Sequence, residues 1–398
     1  MKAGVGYSEH LDSRTAGKDA AQAAMAQGGL DRCDLVLLFS TAHHDPSELR
    51  AGVRSVVGET PRIAGGWSVG VITNEHLGYG GSQAGVALLR FDAGSCEVFA
   101  EGNLSDGEQS VGQALGRRMK VSSPEDAAVL LLFDVVDRTT GRMRFNSASA
   151  LLDGLKSEMP IMPNLAGAGL CGDMAASPTT QWVDDELRQQ NALALVFSDG
   201  IRMDTTTLHG CHPLSDYHTV TKSDGPMVLE LDGRPAIDVI ADLLKGSNIS
   251  PDDYGYFVTL GVNLGGKWDD YDETAYANRL CMRADKKRGG LVMFETDLTP
   301  GTDVQLMRRS VRMDYIAPKI NDVFAKAQGR TPVFALYIDC AGRAGAYAGT
   351  NQEDGTEVQK AVAGRVPLLG LYSGLEIGEV AGQPHPLNWT GVFCLFSV

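Results

Sequence analysis

The chain has 398 residues, 43% of them hydrophobic, and a formal net charge of −15, a length that allows two or three domains of about 100–200 residues each. The acidic balance argues against nucleic acid and anionic membranes as partners, because negative charges repel phosphate groups. No apolar run reaches the roughly 18 residues that span a bilayer and the amino terminus MKAGVGYSEH has no signal-peptide pattern, so we expect a cytoplasmic protein without membrane contact.

Taken in chain order, the predicted elements repeat three times. Residues 33–92 contain CDLVLLFS, PSELRAGVRSVVG, PRIAGGWSVGVI and QAGVALLRFD. Residues 127–200 contain AAVLLLFDV, SASALLDGLKSEM, PNLAGAGLCGDM and NALALVFSDG, and residues 331–397 contain TPVFALYID, EDGTEVQKAVAG, VPLLGLYSGLEIGEV and WTGVFCLFS. Each copy is an apolar strand, a helix, a strand with glycines, a polar turn and an apolar strand, since continuous apolar runs indicate strands covered on both faces.

A further strand and helix precede each copy, namely KAGVGYS with TAGKDAAQAAMAQ, CEVFAEG with DGEQSVGQALGRRM, and DVQLMRR with VRMDYIAPKINDVFAKA. The pattern predicts an α/β fold of tandem β-α-β-α-β-β-β repeats that form mixed sheets with flanking helices. We expect two domains. Residues 1–205 hold two repeats, and residues 206–398 hold an accessory segment, 206–300, followed by the third repeat.

The glycines of the second copy raise the question of a nucleotide site. Gly167, Gly169 and Gly172 match the spacing G-x-G-x-x-G, which binds a pyrophosphate when a helix follows directly. Here the chain continues DMAASPTTQW, which is typical of a turn. The same five-residue separation joins Gly65 and Gly70 in the first copy. The glycines are therefore predicted to allow close backbone packing at a bend in a sheet.

Polar residues cluster after the strands of the third copy. CAGR (340–343) follows the strand FALYID, GLYSGLEI (370–377) follows the helix, and PLNWT (386–390) precedes the last strand. Together with GCHPLSDYHTVTKSDGPMVLELDGRPAIDVI (210–240) and PRIAGGWSVGVI, these motifs resemble the FIST sensory family over almost the whole chain.

The resemblance implies a stand-alone sensor of signal transduction and not an enzyme. Such a protein binds a small-molecule ligand and modulates a partner histidine kinase or other signalling protein. The resemblance also implies an alternative on the same scaffold, a haem-based nitric oxide sensor of a two-component system. A second alternative is a thiol-dependent enzyme in which Cys340 pairs with His385, because a thiol needs a neighbouring base to act as a nucleophile.

Arg343 and Glu376 are the principal candidates for ligand contact. A guanidinium group suits a carboxylate and a glutamate suits an ammonium group, so the two residues at neighbouring strand ends would hold both ends of a zwitterion. The alternative is that Arg343 and Glu376 pair with each other or with solvent at the sheet edge.

Four further residues are candidate ligand contacts, each with a structural alternative. Cys340 either faces the ligand or fills the core, and Asn388 either binds a ligand carbonyl or closes a turn before the last strand. Trp67 and Tyr372 fall at similar places in the first and third copies. Their rings either line a pocket or belong to the hydrophobic core.

His43 and His44 are the candidate ligands of a haem iron. They follow the strand DLVLLFS, ligands often bind at strand ends in α/β folds, and imidazole is a common haem ligand. The alternative is that the run His-His-Asp-Pro starts a helix, with Asp45 as its cap and Pro46 at its first position.

Overall fold

The computed structural model describes residues 1–92, 94–122, 127–159, 161–255 and 257–398. Within these residues, most strands belong to three six-stranded mixed sheets and one eight-stranded antiparallel sheet. Each mixed sheet is built around one of the three sequence repeats, and helices cover it. The predicted α/β class, with repeats that form mixed sheets, is therefore confirmed.

In the first repeat, side-chain caps determine where the helices begin. The Asp12 carboxylate accepts a hydrogen bond from the Thr15 amide at 2.8 Å. Asp45 caps the second helix through the Glu48 amide, also at 2.8 Å, and Pro46 is the first helical residue. These caps satisfy amides that a helix end leaves unpaired. The elements are β1 (Lys2–Ser8), α1 (Ser13–Gly28), β2 (Leu35–Ser40), α2 (Pro46–Val57), β3 (Arg62–Trp67), β4 (Gly70–Thr73), β5 (Leu77–Tyr79) and β6 (Ala84–Arg90).

In the second repeat, the G-x-G-x-x-G segment begins within a strand, and the next element is another strand, as predicted. A Cβ atom at Gly167 would lie 2.2 Å from the carbonyl oxygen of Leu131, and one at Gly65 would lie 1.9 Å from that of Leu38. Glycine therefore lets neighbouring parallel strands approach closely. The elements are β7 (Ser95–Glu101), α3 (Glu108–Ser122), β8 (Ala128–Asp134), β9 (Val136–Asp137), β10 (Arg144–Phe145), α4 (Ala148–Glu158), β11 (Asn164–Leu170), β12 (Gln181–Val183), β13 (Glu186–Arg188) and β14 (Ala192–Ser198).

After β15 (Arg202–Leu208) the chain forms the accessory segment, which has its own antiparallel sheet and hydrophobic cluster. The predicted domain boundary after residue 205 falls inside β15 and stays a prediction. The elements of the accessory segment are β16 (Cys211–Pro213), β17 (His218–Asp224), β18 (Met227–Leu231), β19 (Arg234–Pro235), α5 (Ala236–Leu243), β20 (Thr259–Asn263), β21 (Tyr276–Asp285), β22 (Gly290–Met293) and β23 (Asp303–Arg309).

The third repeat differs from the sequence prediction in its first strand. The segment DVQLMRR is β23, which pairs with β16, β17 and β20 of the accessory sheet. The position predicted for it is taken by β15, which pairs with the last strand of the chain. The hydrophobic periodicity of the sequence could not show which strand joins the third sheet. Both β15 and β23 precede α6, but only β15 pairs with a strand of the third repeat. The remaining elements are α6 (Ile316–Lys326), β24 (Pro332–Cys340), α7 (Gly345–Ala348), α8 (Asp354–Val362), β25 (Leu368–Ser373), β26 (Leu375–Val380), β27 (Gln383–Leu387) and β28 (Gly391–Ser397).

The three repeats exchange hairpins. The strand orders are β1-β6-β2-β3-β12-β13, β7-β14-β8-β11-β26-β27 and β15-β28-β24-β25-β4-β5. The hairpin β4-β5 of the first repeat therefore lies in the sheet of the third repeat. The hairpin β12-β13 of the second repeat lies in the sheet of the first, and the hairpin β26-β27 of the third repeat lies in the sheet of the second. In each sheet the central pair is parallel and the borrowed hairpin is antiparallel to its neighbour. Every repeat completes another, so the three sheets form one interlocked unit.

One face of each mixed sheet contributes to a shared core. Leu37 of β2, Leu132 of β8 and Ile338 of β24 belong to a single buried cluster. The opposite faces are covered by helices, which bury residues such as Ala20 of α1 and Leu151 of α4. Strands covered on both faces are continuously apolar, which explains the apolar runs of the sequence. Among the described residues, no helix combines the length and apolar character needed to cross a membrane.

We predict that Gly167→Ala destabilises the fold, because its Cβ atom would collide with the Leu131 carbonyl oxygen. Overpacking of this kind costs about 1–3 kcal/mol, measured as a lower midpoint of urea unfolding. Gly102→Ala is the control, since a Cβ atom there meets no atom within 4 Å. Equal midpoints for the two variants would contradict the close-packing role of Gly167.

Candidate functional site

The carboxyl ends of the parallel strands in the second and third repeats meet at one small cavity. This strand-end cavity has a volume of about 80 Å³, which exceeds the space of a single water molecule. Its walls come from the second repeat, the third repeat and the accessory segment. The lining residues are Val135, Val136, Phe145, Cys171, Asp173, Met174, Ala176, Leu280, Met282, Phe294, Cys340, Ala341, Gly342, Ser373, Gly374 and Trp389. Strand ends are the usual ligand sites of α/β folds.

Cys340, the last residue of β24, lines this cavity as a neutral thiol. Its sulfur faces the backbone amides of Gly342 and Trp389, and Glu376 lies nearby. Burial, reinforced by the Glu376 carboxyl, raises the pKa of the Cys340 thiol well above its ordinary value. A protonated thiol is a weak nucleophile, so this environment suits packing against a ligand better than attack on one.

Glu376 lies on the exchanged hairpin, behind the cavity wall. Its carboxyl group hydrogen bonds to the Ser373 hydroxyl at 2.8 Å and accepts from the Thr390 amide at 3.4 Å. Complete burial is the main cause that raises the pKa of Glu376 well above its ordinary value, and the carboxyl group of Asp339 adds to the shift. Burial thus favours the protonated form of Glu376, and its contact with a ligand ammonium group stays a prediction.

Arg343 is fully buried and bound to the protein. Its Nε donates to Asp354 at 2.6 Å, and its Nη1 donates to the carbonyl oxygens of His209 and Trp389 at 2.9 and 2.8 Å. Its Nη2 donates to the Tyr315 hydroxyl at 2.7 Å. The guanidinium group therefore joins the third repeat to the end of β15 and the start of α6. It does not line the strand-end cavity, and a ligand contact for Arg343 stays a prediction.

Asn388, Tyr372 and Trp67 also lie outside the cavity lining. The Asn388 side chain accepts from the Leu280 amide at 3.1 Å and thus links the last loop to β21. The Tyr372 ring is buried edge-on against Tyr79, with 5.3 Å between the ring centres. Trp67 packs against the core of the first repeat. Their ligand contacts stay predictions, and of the predicted contacts only Cys340 lines the cavity.

The lining also contains residues that were not among the predicted ligand contacts, such as Cys171, Ser373 and Trp389. Ser373 and Trp389 stood within the quoted motifs, so their position after a strand was the available signal. Cys171 follows β11 in the second repeat, but the exchanged hairpin is what brings Gly374 against it. A Cβ atom on Gly374 would lie 3.1 Å from the Cys171 sulfur.

The haem-ligand prediction for His43 and His44 stays a prediction, and the structure shows what surrounds each imidazole. His44 is buried, with Nε2 2.9 Å from the Ser82 carbonyl oxygen and Nδ1 3.3 Å from the Ser13 hydroxyl. Both nitrogens are therefore engaged, and His43 is exposed in the turn before α2. The alternative, a helix start capped by Asp45, is what the structure contains. Among the described residues, no group of three or more His, Cys, Asp or Glu side chains is arranged to hold a metal ion.

The predicted pairing of the Cys340 thiol with the His385 imidazole stays a prediction. His385 lies on β27, where the charged groups that act on it are those of Lys156, Arg279 and Asp297. Burial lowers the pKa of His385 to about 4. The groups that act on the Cys340 thiol include the backbone amides of Gly342 and Trp389 and the carboxyl group of Glu376.

We predict that Glu376→Gln becomes progressively more stabilising as the pH rises. A carboxyl group whose pKa is raised on folding contributes stability at low pH and loses it as the pH rises above the unfolded-state value. The difference in unfolding free energy between Glu376→Gln and wild type should grow as the pH rises above about 5, by at most about 1.4 kcal/mol per pH unit, until the pH passes the folded-state pKa of Glu376.

Urea unfolding at pH 5, 6, 7 and 8 measures this difference. Glu379→Gln is the matched control, because Glu379 lies on the same strand and is exposed. A difference that is constant with pH for Glu376→Gln would show that the carboxyl group is ionised in the folded protein.

Comparisons with known proteins place these observations in a family context. The model of the FIST N domain matches residues 34–234, and the model of the FIST C domain matches residues 236–379. Uncharacterized proteins of Mycobacterium tuberculosis, strains CDC 1551 / Oshkosh and ATCC 25618 / H37Rv, are each 25% identical over 405 residues, which is 100% of both chains. An uncharacterized protein of Mycobacterium bovis is 26% identical over 202 residues, or 50% of this chain and 51% of that protein.

The similar solved structures correct one expectation. A cyanuric acid hydrolase from A. caulinodans is 11% identical with a TM-score of 0.27, over 50% of this chain and 71% of that one. A second cyanuric acid hydrolase structure is 9% identical with a TM-score of 0.29, over 100% and 99%. These neighbours are enzymes, so the expectation that the chain is not an enzyme does not stand. Likenesses at such TM-scores assign neither an activity nor a substrate to this chain.

Proposed function

The chain belongs to the FIST family, and on that premise we propose that it is a sensor, which binds a small molecule in the strand-end cavity and thereby modulates a partner signalling protein such as a histidine kinase. FIST domains are associated with small-ligand sensing in signal transduction. The two domain models together match most of the chain, so the sensing unit is the interlocked fold itself.

The observation that carries the proposal is the composition of the cavity walls. Cys171 comes from the second repeat, Cys340 and Ser373 from the third, and Leu280 and Phe294 from the accessory segment. A ligand in this position contacts three parts of the chain at once. If those parts have a second arrangement, a ligand that binds one arrangement better shifts the population toward it.

The lining favours a small, uncharged ligand. Most of the wall is apolar, and its polar members include the Ser373 hydroxyl and the Cys340 thiol. The Asp173 carboxylate also borders the cavity, but it already accepts hydrogen bonds from the Ala175 and Ser177 amides. Transfer of a charge from water to such a cavity is costly without a partner. The buried guanidinium groups of Arg343 and Arg279 are already paired with Asp354 and Asp297. We therefore expect a molecule of a few heavy atoms with a hydrogen-bonding group, such as a small amide or alcohol, to bind better than a zwitterion.

A thermal-shift screen of small amides, alcohols and amino acids tests this function. We expect at least one uncharged compound to raise the melting temperature of the wild type. Cys340→Ala should weaken its binding by about fivefold, the equivalent of one lost contact of about 1 kcal/mol.

Cys394→Ala is the matched control, because Cys394 is a buried cysteine on β28 whose side chain lies in the shared core. It should lower stability without altering ligand affinity. A compound that binds wild type, Cys340→Ala and Cys394→Ala equally well would place the ligand outside the strand-end cavity.

A further inference from the structure

A second, larger cavity opens between the accessory sheet and the third repeat. This outer cleft has a volume of about 510 Å³, within the usual range of small-molecule pockets, about 300–1,000 Å³. Leu306 and Met307 of β23 line it on one side, and the segment before β20 lines another. Trp389 borders both the outer cleft and the strand-end cavity. The two cavities are therefore neighbours that share one indole wall.

The rim of the outer cleft exposes large apolar side chains. Phe257 is 70% exposed and Val311 is 80% exposed, and Leu214 and Ile249 are also exposed there. Single exposed apolar residues are ordinary on protein surfaces, but several that line one cleft indicate a binding surface. The cleft therefore offers an apolar wall to a molecule that enters it.

The charged residues that line the outer cleft are both cations, in a chain of net charge −15. Arg309 donates to Asp354 at 3.0 Å, and its guanidinium group lies 5.6 Å from the centre of the Trp389 ring. Arg308 is exposed and, among the described residues, forms no ion pair. A guanidinium group without an acidic partner at the edge of an apolar cleft favours an anionic ligand group.

We propose that the outer cleft binds an amphipathic monocarboxylate, a molecule with an extended apolar body and a single carboxylate. The apolar body packs against Phe257, Ile249 and Leu306, and the carboxylate pairs with Arg308. This site is separate from the strand-end cavity, where the lining favours a small uncharged molecule. Occupation of the outer cleft places apolar atoms against Trp389, which is also a wall of the inner cavity.

Calorimetric titration with decanoate, decanol and decyltrimethylammonium tests the charge preference. We expect decanoate to bind at least about tenfold more tightly than decanol, the effect of one favourable charge pair, and the cation to bind more weakly still. Decanoate binding should weaken below about pH 5, as its carboxylate becomes protonated. Equal binding of all three probes, or no binding of decanoate at millimolar concentration, would overturn the proposal.

Decanoate and decanol binding to three single-residue variants tests whether the ligand lies in the outer cleft. Arg308→Gln should weaken decanoate about tenfold and leave decanol unchanged, whereas Phe257→Ser should weaken both. Arg312→Gln is the matched control, because Arg312 is an exposed arginine on the adjoining loop that pairs with Asp314 and does not line the outer cleft. Loss of decanoate binding in Arg312→Gln as large as in Arg308→Gln would refute the assignment to the cleft.

Fluorescence quenching reports where the ligand binds, which an affinity measurement alone does not. An 11-bromoundecanoate chain in the cleft should quench Trp389, so Trp389→Phe removes most of the quenching. Trp268→Phe, at an exposed site, leaves it intact. Cys340→Ala should not change decanoate affinity, so this proposal and the proposed function fail separately. Quenching that survives Trp389→Phe would contradict binding in the outer cleft.

Discussion

The structure depends on the pairing of each repeat's glycine-containing strand with a hairpin from another repeat. One backbone hydrogen bond marks each of the three junctions. The Trp67 amide donates to the Thr180 carbonyl oxygen at 3.1 Å, and the Val69 amide donates to that of Tyr372 at 3.0 Å. The Gly374 amide donates to the Gly169 carbonyl oxygen at 2.8 Å. Without the borrowed hairpin, a parallel strand would present an unpaired edge to solvent. The exchange removes that edge three times and makes the repeats mutually dependent.

The strand-end cavity is a product of the same exchange. The hairpin of the third repeat runs beside β11, which places Gly374 against Cys171 and Glu376 behind Cys340. The contact between Gly374 and Cys171 does not exist within a single repeat. A ligand site formed by residues of different repeats responds to small shifts between them, because packed interfaces hold discrete arrangements. This is the physical basis on which a compact chain would act as a sensor.

Arg343 shows how a polar cluster supports the site without contacting a ligand. Its donors tie Asp354, His209 and Tyr315 to the loop that holds Trp389. Loss of one member of such a buried cluster is costly, because it leaves the other charges without partners. The cluster also holds Trp389 at a positive φ of 53°, a conformation that non-glycine residues adopt only when their surroundings impose it. The Arg343 cluster therefore holds Trp389, the residue that separates the two cavities, in its position.

The sequence alone determined the three repeats, their strands and helices, the helix start at Asp45 and Pro46, and the packing role of Gly65 and Gly167. These features depend on local periodicity and backbone sterics, which neighbouring residues express directly. The motif positions also predicted a site at the strand ends of the third repeat, where Cys340 lines the candidate cavity.

Only the tertiary structure decided which strands pair, and that choice placed β15 rather than β23 in the third repeat. It also decided that Arg343 is bound by Asp354 and that Cys171 faces the cavity. Strand partners far apart in the sequence leave no local pattern, because an apolar strand looks the same whichever sheet it joins. Cys171 is the clearest example, because the residue packed against it, Gly374, comes from the hairpin of another repeat.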